Sequence, residues 1–66
     1  MTVYFNNSEI NTDASQLDTL LNQHQLIDKK GIAVALNEEV VPRMLWAETP
    51  LKENDKILVI TATQGG

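Results

Sequence analysis

The residues best placed to do chemistry are the last ones. The chain closes on TATQGG, which places two of its three glycines at Gly65 and Gly66. Average glycine usage is about 7%, so adjacent glycines are expected at roughly 0.5% of positions. A frayed end is the plain alternative, because termini are commonly poorly ordered. The chemical reading is that another protein grips this end and acts on its carboxyl group. Glycine has no Cβ, so only backbone has to fit between the walls of a foreign active site. Extended, the last four residues reach roughly 13 Å beyond the body of the domain. A bare carboxylate is a poor electrophile, so it needs activation, most simply as an acyl-adenylate, before a nucleophile can capture it. After Lys56 no charged side chain occurs up to Gly66, which suits a narrow neutral channel.

Other side chains offer less. His24 is the one histidine and there is no cysteine, so His24 has no second soft ligand with which to build a metal site. Ser8 and Ser15 fit a turn and a helix cap, and no serine, histidine and acid constellation can be argued from their spacing. A glycine-rich nucleotide loop is also missing, which assigns any ATP to a partner.

Composition limits the partners. With 66 residues the chain is expected to form one domain, and a net charge of −4 argues against nucleic acid or an anionic membrane as the main partner. The start MTVYFNNSEI has neither the basic residues nor the apolar run of a secretory signal. No apolar run approaches the length of a membrane span. A cytoplasmic protein with a protein partner is the expectation, and a chain without cysteine is compatible with a reducing compartment.

The elements that must carry the tail follow from periodicity. In TVYF, Val3 and Phe5 alternate with Thr2 and Tyr4, as in a strand with one buried face. Asn6-Asn7-Ser8 is turn chemistry, and a short second strand is expected around Glu9 to Asn11. Leu17, Leu20, Leu21 and His24 then fall on one face of a helix. Ser15, with Asp18 three residues on, is read as its N-cap, and Asp13 is the alternative. Ile32, Val34 and Leu36 alternate with Ala33 and Ala35, which is strand spacing again. Asn37-Glu38 reverses the chain into Val40-Val41, with Asn37 suited to a positive φ. Pro42 ends that strand. A loop or single helical turn through Met44, Leu45 and Trp46 and a turn at Asn54-Asp55 lead to the last strand, Lys56 to about Thr61. Ile57, Leu58, Val59 and Ile60 are apolar in succession, so this strand should be central and should leave greasy side chains on the face away from the helix.

One helix laid across a mixed sheet of four or five strands is the economical packing for this order. Three segments, VALNEEVVPRMLW, LKENDKILVI and TATQGG, resemble the sulfur carrier proteins of thiamine biosynthesis, the ThiS family, in order and spacing. The resemblance implies an α+β, β-grasp (ubiquitin-like) domain over 1–66 with a flexible tail at about 62–66. It further implies that Gly66 is adenylated by an E1-like, ThiF-type enzyme using ATP and magnesium, with no cofactor bound by this chain. The acyl-adenylate becomes a thiocarboxylate with sulfur from a persulfide donor such as a cysteine desulfurase, and thiazole synthase takes the sulfur. On this reading Thr63, Gln64 and Gly65 form the slender tail that enters the partner. The chain is then a protein co-substrate, not an enzyme. Glu38 and Asn54 stand where that family often has glycine, and Glu38 is the less comfortable of the two at a positive φ.

Docking candidates are Leu58 and Ile60 on the apolar face, with Arg43 and Trp46, residue types that dominate interfaces. Packing is the weightier role for Trp46, and pairing with an acidic neighbour is the weightier one for Arg43. Lys52 and Lys56 could steer a partner electrostatically. Three rivals remain: the small subunit of molybdopterin synthase, which resembles this chain in fold and Gly-Gly end, a ubiquitin-like modifier conjugated through Gly66, and an interaction module with a chemically inert tail.

Overall fold

Elements follow one another in the order that the periodicities predict: β1 (Thr2–Phe5), β2 (Ser8–Asn11), α1 (Leu17–Gln23), β3 (Ile32–Leu36), β4 (Glu39–Val40), a 3-10 helix (Arg43–Glu48) and β5 (Lys56–Thr61). They come from a computed structural model that describes residues 1–61. The five strands form one sheet in the order β2-β1-β5-β3-β4. β1 and β5 are parallel and every other pair is antiparallel, so β5 is central, as its uninterrupted apolar run requires.

Alternation decides what each strand buries. Val3 on β1, Val34 on β3 and Ile57 on β5 face α1 and meet Leu17, Leu20 and Leu21, all of them at most 1% exposed. Ala14, Trp46 and Leu51 complete this core. Each buried leucine contributes about 1.5–3 kcal/mol in removing apolar area from water. A helix of seven residues is too short to stand alone, so its existence depends on this contact.

Reversals depend on residues that tolerate a positive φ. Asn6 and Asn7 have φ of 50° and 69°, the two positive values of a type I′ hairpin turn between β1 and β2. Asn37 and Glu38 repeat the device between β3 and β4, at 51° and 74°, and Asn54 takes 70° just before β5. The tight reversal expected at Asn37-Glu38 is therefore present. So is the strain expected at Glu38, whose Cβ makes the left-handed region unfavourable by about 1–2 kcal/mol.

The ends of α1 differ from expectation. Its N-cap is Gln16, with no side-chain cap bond, so neither Ser15 nor Asp13 caps it. Instead the Leu17 N–H donates to the Thr49 carbonyl at 2.8 Å, and the Leu51 N–H donates to the Ser15 carbonyl at 2.9 Å. A strand-like crossing of Gln16 and Pro50 brings these groups together, so backbone from the far end of the chain satisfies an orphan donor that a hydroxyl was expected to take. Asp13 accepts from Gln23 Nε2 at 2.8 Å instead. Asp18 does lie in the first turn, where the helix dipole favours it.

At the other end Leu26 N–H donates to Leu21 O at 2.8 Å and Gln25 N–H to Asn22 O at 3.0 Å. These are the two bonds of a Schellman motif, with Gln25 at φ 63° where glycine is usual. Leu26, the residue after it, packs on the core.

Gln25→Gly and Glu38→Gly should therefore each stabilise the domain by about 1 kcal/mol. In thermal unfolding that is a rise of roughly 4–8 °C apiece, additive in the double variant because the two sites share no partner.

Candidate functional site

Tail geometry begins with β5. On one side β5 pairs with β3 along five residues, Ile57 to Thr61 against Leu36 to Ile32. On the other it pairs with β1 at Lys56 and Ile57 alone. The described chain reaches Thr61, still paired with Ile32. Thr63, Gln64, Gly65 and Gly66, and with them the tail expected at about 62–66, lie outside the described residues.

The root of β5 is fixed by a network joining two turns. Asn37 Nδ2 donates to Asp55 Oδ1 at 2.9 Å, while Asn37 Oδ1 accepts from the Lys56 N–H at 3.0 Å. Asp55 Oδ2 accepts from the Lys52 N–H at 2.7 Å. The Asn37 N–H closes the set on the Lys56 carbonyl at 2.8 Å. Asp55 is only 8% exposed, so its carboxylate is tied down within the protein. Both residue types mark turns in the sequence; their mutual bond, spanning 18 positions, has no local signal.

Away from α1 the sheet is open. Leu58 and Ile60 project there from β5 with 41% and 53% of their surface exposed, and Val40 on β4 with 72%. Ala33 and Ala35 lie opposite Ile60 and Leu58 on β3, so no bulky side chain shields them from that side. Tyr4, Asn7, Ala35, Glu38, Lys56 and Leu58 line a depression of about 320 Å³ on this face. It combines apolar side chains with one acidic residue, Glu38, and one basic residue, Lys56. Lys52 and Lys56 are both exposed near the root of β5.

Arg43 and Trp46 serve the core side. Trp46 is 3% exposed and its indole N–H donates to the Val41 carbonyl at 2.9 Å, so burial leaves a partner almost no ring to dock on. Of the two roles weighed for Trp46, packing is the one the structure gives it. Arg43 lies over that ring, its Cζ 4.5 Å from the centroid. Its guanidinium donates to the carbonyls of Ile27 and Lys29 at 2.7 and 2.6 Å, which ties the loop after α1 to the 3-10 helix. Backbone carbonyls thus take the place of the acidic neighbour considered from sequence. His24 is exposed and stacks on Phe5 with ring centroids 4.4 Å apart, a packing role. Among the described residues no group of three or more metal-ligating side chains occurs, and no helix is long and apolar enough to cross a membrane.

Comparisons with known proteins agree with this architecture. The ThiS family model matches residues 3–66. The sulfur carrier protein ThiS of Escherichia coli K12 is 33% identical, and the alignment covers all of both chains. A crystal structure of a thiamine biosynthesis protein (ThiS) from Geobacter metallireducens superposes with a TM-score of 0.85 at 23% identity, again over all of both chains. The solution structure of the Geobacter protein gives 0.76, covering all of this chain and 88% of that one. At that identity the two structures speak for the fold, the mixed five-stranded β-grasp sheet with its single helix.

The two faces of β5 should respond differently to substitution. Leu58→Thr and Ile60→Thr are expected to change stability by less than about 0.5 kcal/mol in urea unfolding. Ile57→Ala, one position from Leu58 but 1% exposed, should cost about 2–5 kcal/mol.

Proposed function

The chain belongs to the ThiS family, the sulfur carriers of thiamine biosynthesis, and from that premise we propose that its reactive group is the carboxylate of Gly66. The observation that carries this reading is the family match over residues 3–66, which takes in the Gly65-Gly66 end. The carboxylate attacks the α-phosphate of magnesium ATP held by an E1-like, ThiF-type enzyme, and pyrophosphate leaves. Sulfur from a persulfide donor then displaces AMP, and a thiol cleaves the resulting S–S bond to release the thiocarboxylate. That end delivers sulfur to thiazole synthase. The chain itself acts as co-substrate, while ATP and magnesium are bound by the partner.

Each part of the tail has a physical task here. Gly65 and Gly66 offer backbone alone to the reacting centre, and Thr63 and Gln64 bring no charge to desolvate. Leu58 and Ile60, with the depression beside them, support docking of the adenylating enzyme on the open face of the sheet, and Lys56 contributes electrostatic steering. Burying an apolar face on the partner fixes the body of the carrier, so only the tail must be ordered inside the active site.

Incubation with an adenylating enzyme of the family, magnesium ATP and a persulfide source should raise the intact mass by the exchange of one oxygen for one sulfur. A variant lacking Gly66 should show no such gain. Ile60→Asp should raise KM for the carrier by roughly tenfold or more with kcat little changed, the pattern of lost docking rather than lost chemistry. A mass gain in the shortened variant, or ladders of conjugates on other proteins in place of thiocarboxylate, would overturn this reading.

A further inference from the structure

Along the border with β5, hydrogen bonds engage every second residue of β1 and the turn that follows it. The Asn54 N–H donates to the Thr2 carbonyl at 2.7 Å, the Tyr4 N–H to the Asp55 carbonyl at 2.8 Å and the Asn6 N–H to the Ile57 carbonyl at 2.8 Å. A parallel ladder continued by one step would pair the Val59 N–H with the backbone carbonyl of Asn6. The chain has by then reversed, because Asn6 sits at φ 50° in the hairpin turn. The Val59 N–H donates instead to the Asn6 side chain, at 2.8 Å to Oδ1. A side-chain amide oxygen thus supplies the rung that the departing backbone cannot.

From this geometry we infer that Asn6 is a positioning residue for the sulfur-carrier reaction, an inference that rests on the function proposed above. Past Ile57, β1 offers β5 no further strand partner. The Asn6 amide extends the two-sided support of β5 to Val59, two residues before the last paired position at Thr61. It thereby fixes the direction in which β5 delivers the chain towards Gly66. Residue type matters at both tasks. Asparagine and aspartate accept at this reach and tolerate a left-handed backbone, glycine keeps the backbone but loses the acceptor, and glutamine is one methylene too long. The first residue of a type I′ turn is ordinarily explained by its φ alone. Here the side chain carries a second, separable role.

The test compares wild type, Asn6→Gly and Asn6→Asp, with Ile10→Val as a control. Ile10 is a partly buried residue of β2 that packs on the core and has no bond to β5. Amide hydrogen exchange by NMR reports on Val59. Thiocarboxylate formation with a family adenylating enzyme, followed by intact mass, separates KM from kcat. Asn6→Gly is expected to speed Val59 exchange relative to Ile60 and to raise KM about fivefold, the worth of one neutral hydrogen bond. Its kcat should stay close to wild type, and Asn6→Asp should restore both readouts. An unchanged KM and unchanged Val59 exchange in Asn6→Gly would overturn the inference, as would failure of Asn6→Asp to rescue. An equal rise in KM for Ile10→Val would also overturn it, by showing that general destabilisation is enough. If wild type itself is not converted under conditions that convert the Escherichia coli carrier, the functional reading fails. Val59 exchange then decides by itself whether Asn6 orders the strand.

Discussion

The domain depends on β5 being held from both sides. A six-residue strand with apolar side chains in succession is unstable at a sheet edge, where one row of backbone groups would face water and the greasy face would invite aggregation. β3 pairs with it from Ile57 to Thr61 and β1 pairs with its root at Lys56 and Ile57, and Ile57 is driven into the core with Val3 and Val34. Because β1 is parallel to β5, the two cannot be joined by a hairpin. The crossover between them holds everything else in the fold, including the helix that covers the core. Placement of the last strand therefore fixes the rest.

Tying down such a strand in so small a domain falls largely to polar groups. Asn37 and Asp55 join the reversal after β3 to the turn before β5, and Asn6 supports the strand from the other side. Each uses a short side chain as a substitute for backbone that has turned away. All buried side-chain polar atoms among the described residues find partners, as a marginal domain requires, since one unsatisfied group costs about 1–3 kcal/mol of a small total. Against this economy, Gln25 and Glu38 hold positive φ without being glycine. The core tolerates that strain because the Schellman bonds and the β3-β4 pairing over-determine both positions.

Arg43 and Trp46 show how the two sides of the sheet are assigned different work. The indole is part of the core beside α1, and the guanidinium lies over it while clamping the loop after the helix. Core sealing is thereby completed on the helix side. On the opposite face Leu58, Ile60 and Val40 remain exposed. An exposed apolar surface is one that a partner can use.

What the sequence determined by itself were features with local causes. Alternation placed the strands and the helix, because a residue's face depends on its neighbours two to four positions away. Asparagines at 37 and 54 marked the reversals, because left-handed backbone is a property of one residue. The apolar run from Ile57 to Ile60 indicated both a central strand and an exposed apolar face. Tertiary structure alone decided the contacts between distant segments: Thr49 rather than Ser15 at the start of α1, Arg43 on two carbonyls rather than an acid, and Asn6 on Val59. A backbone donor accepts any oxygen that arrives at hydrogen-bonding distance, and which oxygen arrives is set by the path of the whole chain.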